Sequence, residues 1–288
     1  MSEIKEISPN TLMAFGIVGG LLGIYLTYIL PLAGNAAGGP VKGLLITIAP
    51  AAGALGGICA IVWGAEAVRR VAKYGLGTGV PSIGQIALGM GIVAAMFGLS
   101  IVNSLTFMKQ FAVLAGPLVA LITASLIGLI IGWFAQNVIK MKIPVMIRCM
   151  TEIAAAGSLV IIGFSAAAAG SFEFGSLIKL VFDNGIILVV FWVGAMAMLH
   201  PFNACLGPDE KQKRLLYLAG STGAITMAII GIAAMLPLKT SPEITMSGIF
   251  TLLLGVVLWL IFYKKFWDEV YKDAASVVGT GLIPKTEA

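Results

Sequence analysis

Long apolar runs separated by short polar segments form the hydrophobic pattern of this chain. Eight of these runs have roughly the 17 to 25 residues that an α-helix needs to cross a lipid bilayer. They lack the alternation of polar and apolar residues that a membrane β-barrel requires, so a barrel is excluded. The pattern predicts an all-α polytopic helical bundle, a single membrane domain over residues 1–288 with about eight transmembrane helices in hairpin pairs. Their approximate bounds are 12–33, 44–66, 82–104, 111–135, 149–170, 184–205, 215–238 and 246–263.

The composition agrees with this interpretation and excludes a water-soluble globule. Hydrophobic residues make up 59% and charged residues 11% of the 288 residues, whereas soluble domains carry about 25% charged residues. So few charges cannot cover the surface of a soluble protein of this length, and lipid must cover most of it. Pairs of small residues four apart, such as Gly53 with Gly57 and Gly128 with Gly132, predict helices that approach one another closely.

The basic residues are distributed unevenly between the two sides that eight spans define. Fourteen of the 18 Lys and Arg residues fall on the side that holds both termini. The positive-inside rule therefore predicts a multi-pass protein of the cell membrane with its N- and C-termini in the cytoplasm. Because the basic residues serve topology in this interpretation, a nucleic-acid partner is excluded. The other side carries only Lys42, Lys109, Lys179 and Lys239.

Two helix ends resemble each other and indicate an internal repeat. The segment from Trp63 to Arg70 ends the second predicted span, and the segment from Trp133 to Lys140 ends the fourth. Each begins with Trp and reaches a basic residue seven positions later. Duplication of helical hairpins is common in transport proteins, so the repeat favours a membrane-embedded function.

A basic, glycine-rich segment follows the second predicted span. Its glycines lack the P-loop spacing and follow a membrane helix rather than a strand, so nucleotide binding is excluded. Backbone N–H groups of glycines beside three cations make an anion cradle one hypothesis. The alternative is a topology cluster before a tight turn, in which Glu66 pairs with an arginine at helical spacing. The candidate anion-binding residues are Arg69, Arg70, Lys73, Gly75, Gly77 and Gly79.

Glu152 is a carboxylate a few residues into the fifth predicted span. Placing a charge inside a membrane helix costs on the order of 2.5 to 3.5 kcal/mol, so a function is the first hypothesis. Thr151 and Ser158 supply oxygen atoms nearby, which suits the path of a hard cation. The alternative is an ion pair with Arg148, four residues earlier on the same helix face. The spacing of Cys and His residues predicts no metal site.

The segment from Gly64 to Ser100 closely resembles the C subunit of tetrahydromethanopterin S-methyltransferase, the membrane complex of methanogenic archaea. The resemblance is most specific from Tyr74 to Gly84, which reads YGLGTGVPSIG. It implies a complex that transfers a methyl group from methyl-tetrahydromethanopterin to coenzyme M and couples this transfer to outward movement of Na⁺. It also implies that a corrinoid is held by a different subunit, that this chain alone binds no cofactor, and that the D and E membrane subunits are its partners.

The resemblance gives the two candidate clusters specific roles. Coenzyme M carries a sulfonate, so the basic, glycine-rich segment becomes a hypothetical site for this anion. Glu152, with Thr151 and Ser158, becomes a candidate lining of the Na⁺ path. The resemblance implies that catalytic residues lie on other subunits. Two other functions stay open, which are a stand-alone secondary transporter for a small solute and a structural membrane anchor for soluble enzyme subunits.

Overall fold

The computed structural model describes residues 6–74, 80–107, 111–170, 172, 211–235 and 242–277, and these residues form seven α-helices and no strand. Each helix contains a stretch that is long and apolar enough to cross a membrane, which confirms the all-α membrane class. The sixth predicted span, 184–205, lies outside the described residues, so the count of eight stays a prediction. The helices are α1 (Pro9–Ala37), α2 (Gly39–Ala72), α3 (Val80–Ser104), α4 (Ala112–Asn137), α5 (Met146–Ala169), α6 (Gln212–Met235) and α7 (Pro242–Val277).

The first two helices form a tight antiparallel hairpin. Gly38 and Gly39 connect them with φ angles of +68° and +54°, a backbone region that favours glycine. Further along the hairpin, a Cβ atom at Gly23 would lie 2.5 Å from the backbone oxygen of Ala52. Only a residue without a side chain fits there, so glycine sets how closely α1 and α2 approach.

Helix α5 is the central helix of the bundle, and nearly all of its residues are buried. Helix α2 contacts it through Gly53 and Gly57, and α4 contacts it through Gly128 and Gly132. A Cβ atom at Gly128 would lie 2.5 Å from the backbone oxygen of Met150. The close helix approach that the paired glycines predict is therefore confirmed.

The outward faces of α3, α4 and α7 carry large apolar side chains. Phe97, Ile122, Leu126, Leu253 and Val257 are all more than half exposed. An apolar surface of this kind needs lipid or another apolar partner to cover it. The structure thus places the excess of hydrophobic residues where a membrane protein requires them.

Two helices continue more than five residues beyond their predicted ends. Helix α2 continues to Ala72 instead of ending near residue 66, so Arg69 and Arg70 lie in its last turns rather than in a loop. Buried ion pairs neutralise these charges, which hydropathy alone does not detect. Helix α7 continues to Val277 instead of ending near residue 263. Its 36 residues span about 54 Å, so it extends well beyond a hydrocarbon layer of about 30 Å.

The starts of α1, α5 and α6 and the ends of α2 and α7 meet at one end of the bundle, which we call the basic end. The sequence predicts that these segments share one side of the membrane, and their meeting agrees with that arrangement. That this side faces the cytoplasm stays a prediction. The contacts that bring these ends together are those of Arg69 with Glu6, Arg148 with Asn10, Gln212 with Ile7 and Lys213 with Glu269.

Candidate functional site

Charged and hydrogen-bonding side chains at the basic end form one connected cluster, which we call the ionic network. The α2 side chains of this network lie on two adjacent faces of the helix. At about 3.6 residues per turn, Trp63 and Arg70 differ in direction by only about 20°. Glu66, Arg69 and Lys73 lie beside them, within about 60° of one another. The members are Glu66, Arg69 and Lys73 from the first face, Trp63 and Arg70 from the second, Arg148 and Glu152 from α5, Gln212 from α6, and Glu6 and Asn10 from residues 6–10, the N-terminal arm.

On the first face of α2, Arg69 links two carboxylates. Its Nε and Nη2 donate to the two carboxylate oxygens of Glu66 at 2.7 and 2.9 Å. Its Nη1 and Nη2 donate to the two carboxylate oxygens of Glu6, both at 3.1 Å. Lys73 Nζ lies 3.6 Å from Glu6 Oε1. The predicted pairing of Glu66 with an arginine is confirmed, and Glu6 is an additional partner.

On the second face, Glu152 accepts hydrogen bonds from two helices. Arg148 Nε donates to Glu152 Oε1 at 2.6 Å, and Trp63 Nε1 donates to Oε2 at 2.9 Å. Arg70 Nη2 also donates to Oε2. The Glu152 side chain is only 4% exposed. The ion pair with Arg148, one of the two predicted alternatives, is therefore present, and Arg70 reinforces it.

The N-terminal arm is joined to the network on both faces of α2, through Gln212 at the first and Arg148 at the second. The Gln212 side chain accepts from Ile7 N at 2.7 Å and donates to Ile7 O at 2.9 Å. The same Nε2 of Gln212 donates to Glu66 Oε1 at 3.1 Å. Arg148 Nη2 donates to Asn10 Oδ1 at 2.6 Å. The arm thereby joins α2, α5 and α6 at the basic end.

The network is close to electrical neutrality. Three carboxylates face four cationic side chains, which gives a formal charge of +1. Charges removed from water need such partners, because an unpaired buried ion is strongly destabilising. The hydrogen bond from Arg69 holds the pKa of Glu6 below its ordinary value of 4.5, against the opposing effect of partial burial. In the described part of the chain, Arg70 Nε is a buried nitrogen without a hydrogen-bond partner.

The structure brings the predicted anion-binding cations together only in part. Both arginine side chains point from α2 toward carboxylates of the same chain, rather than lining an open cradle. Lys73 follows the helix and is 36% exposed. Capture of an anion by these residues stays a prediction. The three glycines assigned to the cradle, Gly75, Gly77 and Gly79, lie outside the described residues.

The predicted oxygen ligands of a cation path are used within α5. Thr151 Oγ1 donates to Ile147 O at 2.8 Å, and Ser158 Oγ donates to Ala155 O at 2.7 Å. Glu152 binds cationic side chains, so a role in ion passage stays a prediction. Among the described residues, no group of three or more His, Cys, Asp or Glu side chains is placed to hold a metal ion.

Four members of the network were not predicted from the sequence, namely Glu6, Asn10, Trp63 and Gln212. Glu6 had one usable signal, since it is an acidic residue just before an apolar run on the side richest in cations. Trp63 belonged to the predicted repeat, but its environment differs from that of its counterpart. Trp63 is 1% exposed and bonded to Glu152, whereas Trp133 is 52% exposed.

Comparison with known proteins shows similarity along the whole chain. A family model that describes the C subunit of tetrahydromethanopterin S-methyltransferase matches residues 1–287. The protein of this name from Methanosarcina barkeri is 48% identical over 279 residues, covering 97% of this chain and 93% of the relative. Those from Methanothermobacter thermautotrophicus and Methanocaldococcus jannaschii are 42% identical over 281 residues and 38% identical over 283 residues. Each covers 98% of this chain, and 95% and 96% of the respective relative.

Proposed function

Because this chain belongs to the family of the C subunit of tetrahydromethanopterin S-methyltransferase, we propose that it helps to form the membrane part of a complex that couples methyl transfer to Na⁺ export. In this proposal the methyl group passes from methyl-tetrahydromethanopterin to coenzyme M. A corrinoid held by a different subunit takes the methyl group from one to the other, and Na⁺ is the coupling ion. The D and E membrane subunits and the corrinoid-bearing subunit are the proposed neighbours of this chain.

The observation that carries this proposal is the family match over residues 1–287, and the concentration of polar contacts at the basic end supports a scaffold role for this chain within the complex. The ionic network ties the N-terminal arm to α2, α5 and α6, and its carboxylates are bound by cations of the same chain. Elsewhere, the hydroxyls of Ser125, Thr226 and Thr251 donate to backbone oxygens of their own helices. Groups used in this way stabilise a scaffold, so we assign the chemistry of methyl transfer to partner subunits.

Two finer roles belong to the same proposal. We assign capture of the coenzyme M sulfonate to Arg69, Arg70 and Lys73 with the glycines that follow them. The support is a set of cations at one end of the bundle, including the buried Arg70 Nε without a partner among the described residues. We assign a share of the Na⁺ path to Glu152, Thr151 and Ser158. The support is the burial of a charged carboxylate six residues after the start of a helix that is long enough to span the membrane.

Extraction in mild detergent tests the proposal. The chain, carrying an affinity tag, is purified from native membranes, its partners are identified by mass spectrometry, and corrinoid is detected by its visible absorbance. We expect a multisubunit, corrinoid-containing assembly that transfers methyl groups, with an untagged strain as the control. A monomer that takes up a solute would contradict the proposal in favour of a transporter. Soluble enzymes bound without Na⁺ coupling would instead indicate an anchor.

A further inference from the structure

We infer that Arg69 and Lys73 form a binding site for a compact oxyanion, and that the carboxylate of Glu6 occupies this site as an internal ligand. The N-terminal arm is then a latch, which an external sulfonate displaces when it binds. The inference rests on the proposed function only for the identity of that ligand, the sulfonate of coenzyme M. The oxyanion site itself follows from the geometry of the arm.

Arg69 and Lys73 contact Glu6 in the way that proteins contact a bound oxyanion. Two terminal nitrogens of Arg69 donate in parallel to the two oxygens of Glu6, both at 3.1 Å. Lys73 Nζ adds a cation 3.6 Å from Glu6. A planar guanidinium fork with an ammonium beside it is the arrangement that binds an external carboxylate, sulfonate or phosphate. Glu6 therefore occupies the position that such a ligand would take.

Arg69 and Glu6 differ in how deeply they are buried. The Arg69 side chain is 3% exposed, and its Nε and Nη2 donate to the Glu66 carboxylate at 2.7 and 2.9 Å. Its outer nitrogens therefore keep their direction whether or not Glu6 is bound. Glu6, in contrast, is 51% exposed. The receptor is fixed and the internal ligand lies at the surface, which is the arrangement required for exchange with an anion from solution.

Release of Glu6 leaves the fold intact. Helix α1 begins at Pro9, and its N-cap residue Ser8 accepts from Thr11 N at 3.1 Å. Glu6 precedes this cap, and Gln212 independently holds the backbone of Ile7. Rotation of the Glu6 side chain is enough to give up its contacts with Arg69 and Lys73. Its departure removes a negative charge from beside these two cations, so an external anion is attracted to the position that Glu6 leaves.

The test measures binding of ethanesulfonate, a sulfonate without a thiol, to the assembled complex by calorimetry. The variants Glu6→Gln and Glu6→Ala remove the internal competitor. Because apparent affinity is proportional to the fraction of sites that the internal ligand leaves free, we expect binding to tighten by about threefold or more. Asp268→Asn, which removes an exposed carboxylate from α7 outside the network, is the matched control and leaves the affinity unchanged.

A second substitution locates the gain. Lys73→Gln in the Glu6→Ala background removes most of the tighter binding if the site is the one inferred here. Lys73 lies beyond the end of α2 and is 36% exposed, so this change spares the helix packing. A gain that survives Lys73→Gln, or unchanged or weaker binding in both Glu6 variants, overturns the inference. Tighter binding of anionic phospholipid vesicles without any gain for ethanesulfonate also overturns it, by indicating a lipid headgroup site.

The result is independent of the test of the proposed function. A corrinoid-containing assembly that purifies normally but shows no change on Glu6 substitution refutes the latch alone. A chain that purifies without partners, yet binds ethanesulfonate more tightly after Glu6→Ala, refutes the proposed assembly and retains the oxyanion site. The two proposals therefore fail through different observations.

Discussion

Glu152 is the residue that holds together the ionic network at the second face of α2. Its carboxylate accepts from Trp63, Arg70 and Arg148, and its side chain is 4% exposed. Arg70 is 12% exposed and has no other acceptor among the described contacts. Without the carboxylate charge, the largely buried Arg70 guanidinium would have no negative partner among the residues that the structure describes. A buried charge without a partner strongly destabilises the folded protein.

We therefore expect Glu152→Gln to destabilise the protein by about 2 kcal/mol or more. The measurement is thermal unfolding of the assembled complex in detergent, with Asp268→Asn as a control of equal charge change. The double variant Glu152→Gln/Arg70→Met removes the uncompensated cation, so part of the lost stability should return. Equal unfolding temperatures for the wild type and Glu152→Gln would show that the carboxylate does not support the fold.

The same variant examines the proposed Na⁺ path, provided that transport is expressed per assembled complex. If Glu152 contributes to the path, the double variant recovers stability but transports less Na⁺ than Arg70→Met alone, which is the control for the role of Arg70 in anion capture. Transport by Glu152→Gln at the wild-type rate would remove Glu152 from the path and leave it a purely structural role. Stability and transport thus report on different roles of one side chain.

At the residue scale, a single sequence predicts contacts between helical neighbours and misses those between helices. The pairs of Glu66 with Arg69 and Arg148 with Glu152 follow from spacings of three and four residues. The pair of Arg70 with Glu152 joins residues 82 positions apart. The fork between Arg69 and Glu6 spans 63 positions. Helix periodicity gives the face of each side chain, but which faces meet depends on packing between helices.

At the scale of elements, α5 is a helix whose neighbours approach through glycine. A Cβ atom at Gly128 would lie 2.5 Å from Met150 O and 2.8 Å from Ala154 Cβ. The backbone oxygen cannot move without displacing the central helix itself. Gly89 on α3 offers the opposite case, since nothing lies within 4 Å of the position that its Cβ would take.

We expect Gly128→Ala to destabilise the complex by about 1 to 3 kcal/mol, because an added methyl group forces α4 away from α5. Gly89→Ala is the matched control, and we expect it to be neutral or stabilising by up to about 1 kcal/mol, since alanine favours a helix over glycine. Thermal unfolding of both variants in the same detergent provides the comparison. Equal effects of the two substitutions would show that the α4–α5 contact does not depend on the missing side chain.

The hydrophobic pattern predicts the existence of the described helices well and their ends less well. Predicted and observed starts of α3, α4 and α5 agree within three residues. Helix α2 ends six residues after its predicted end, because buried ion pairs neutralise the charges of its last turns. Helix α7 ends 14 residues after its predicted end, because its last turns are amphipathic rather than apolar. There, Trp259, Tyr263, Trp267 and Tyr271 contact one another in sequence at helical spacing.

For the molecule as a whole, the basic end gives the bundle a polarity that the positive-inside rule can interpret. The helix ends that meet there are those predicted to share one side of the membrane. Lys142, between α4 and α5, is exposed at this end, and Lys42, near the start of α2, is exposed at the other. These two positions therefore report on opposite membrane surfaces.

We predict that Lys142→Cys reacts with a membrane-impermeant maleimide in inside-out vesicles and is protected in right-side-out vesicles, because the side richest in Lys and Arg remains in the cytoplasm. Lys42→Cys should show the reverse pattern. The parent chain, which carries Cys59, Cys149 and Cys205, provides the labelling background that is subtracted from both variants. Labelling of both variants in the same vesicle type would contradict the arrangement of the helix ends. If each variant shows the labelling pattern expected of the other, the protein has the opposite orientation in the membrane. The N-terminal arm and its oxyanion site would then lie on the outer surface, where they could not bind a cytoplasmic sulfonate.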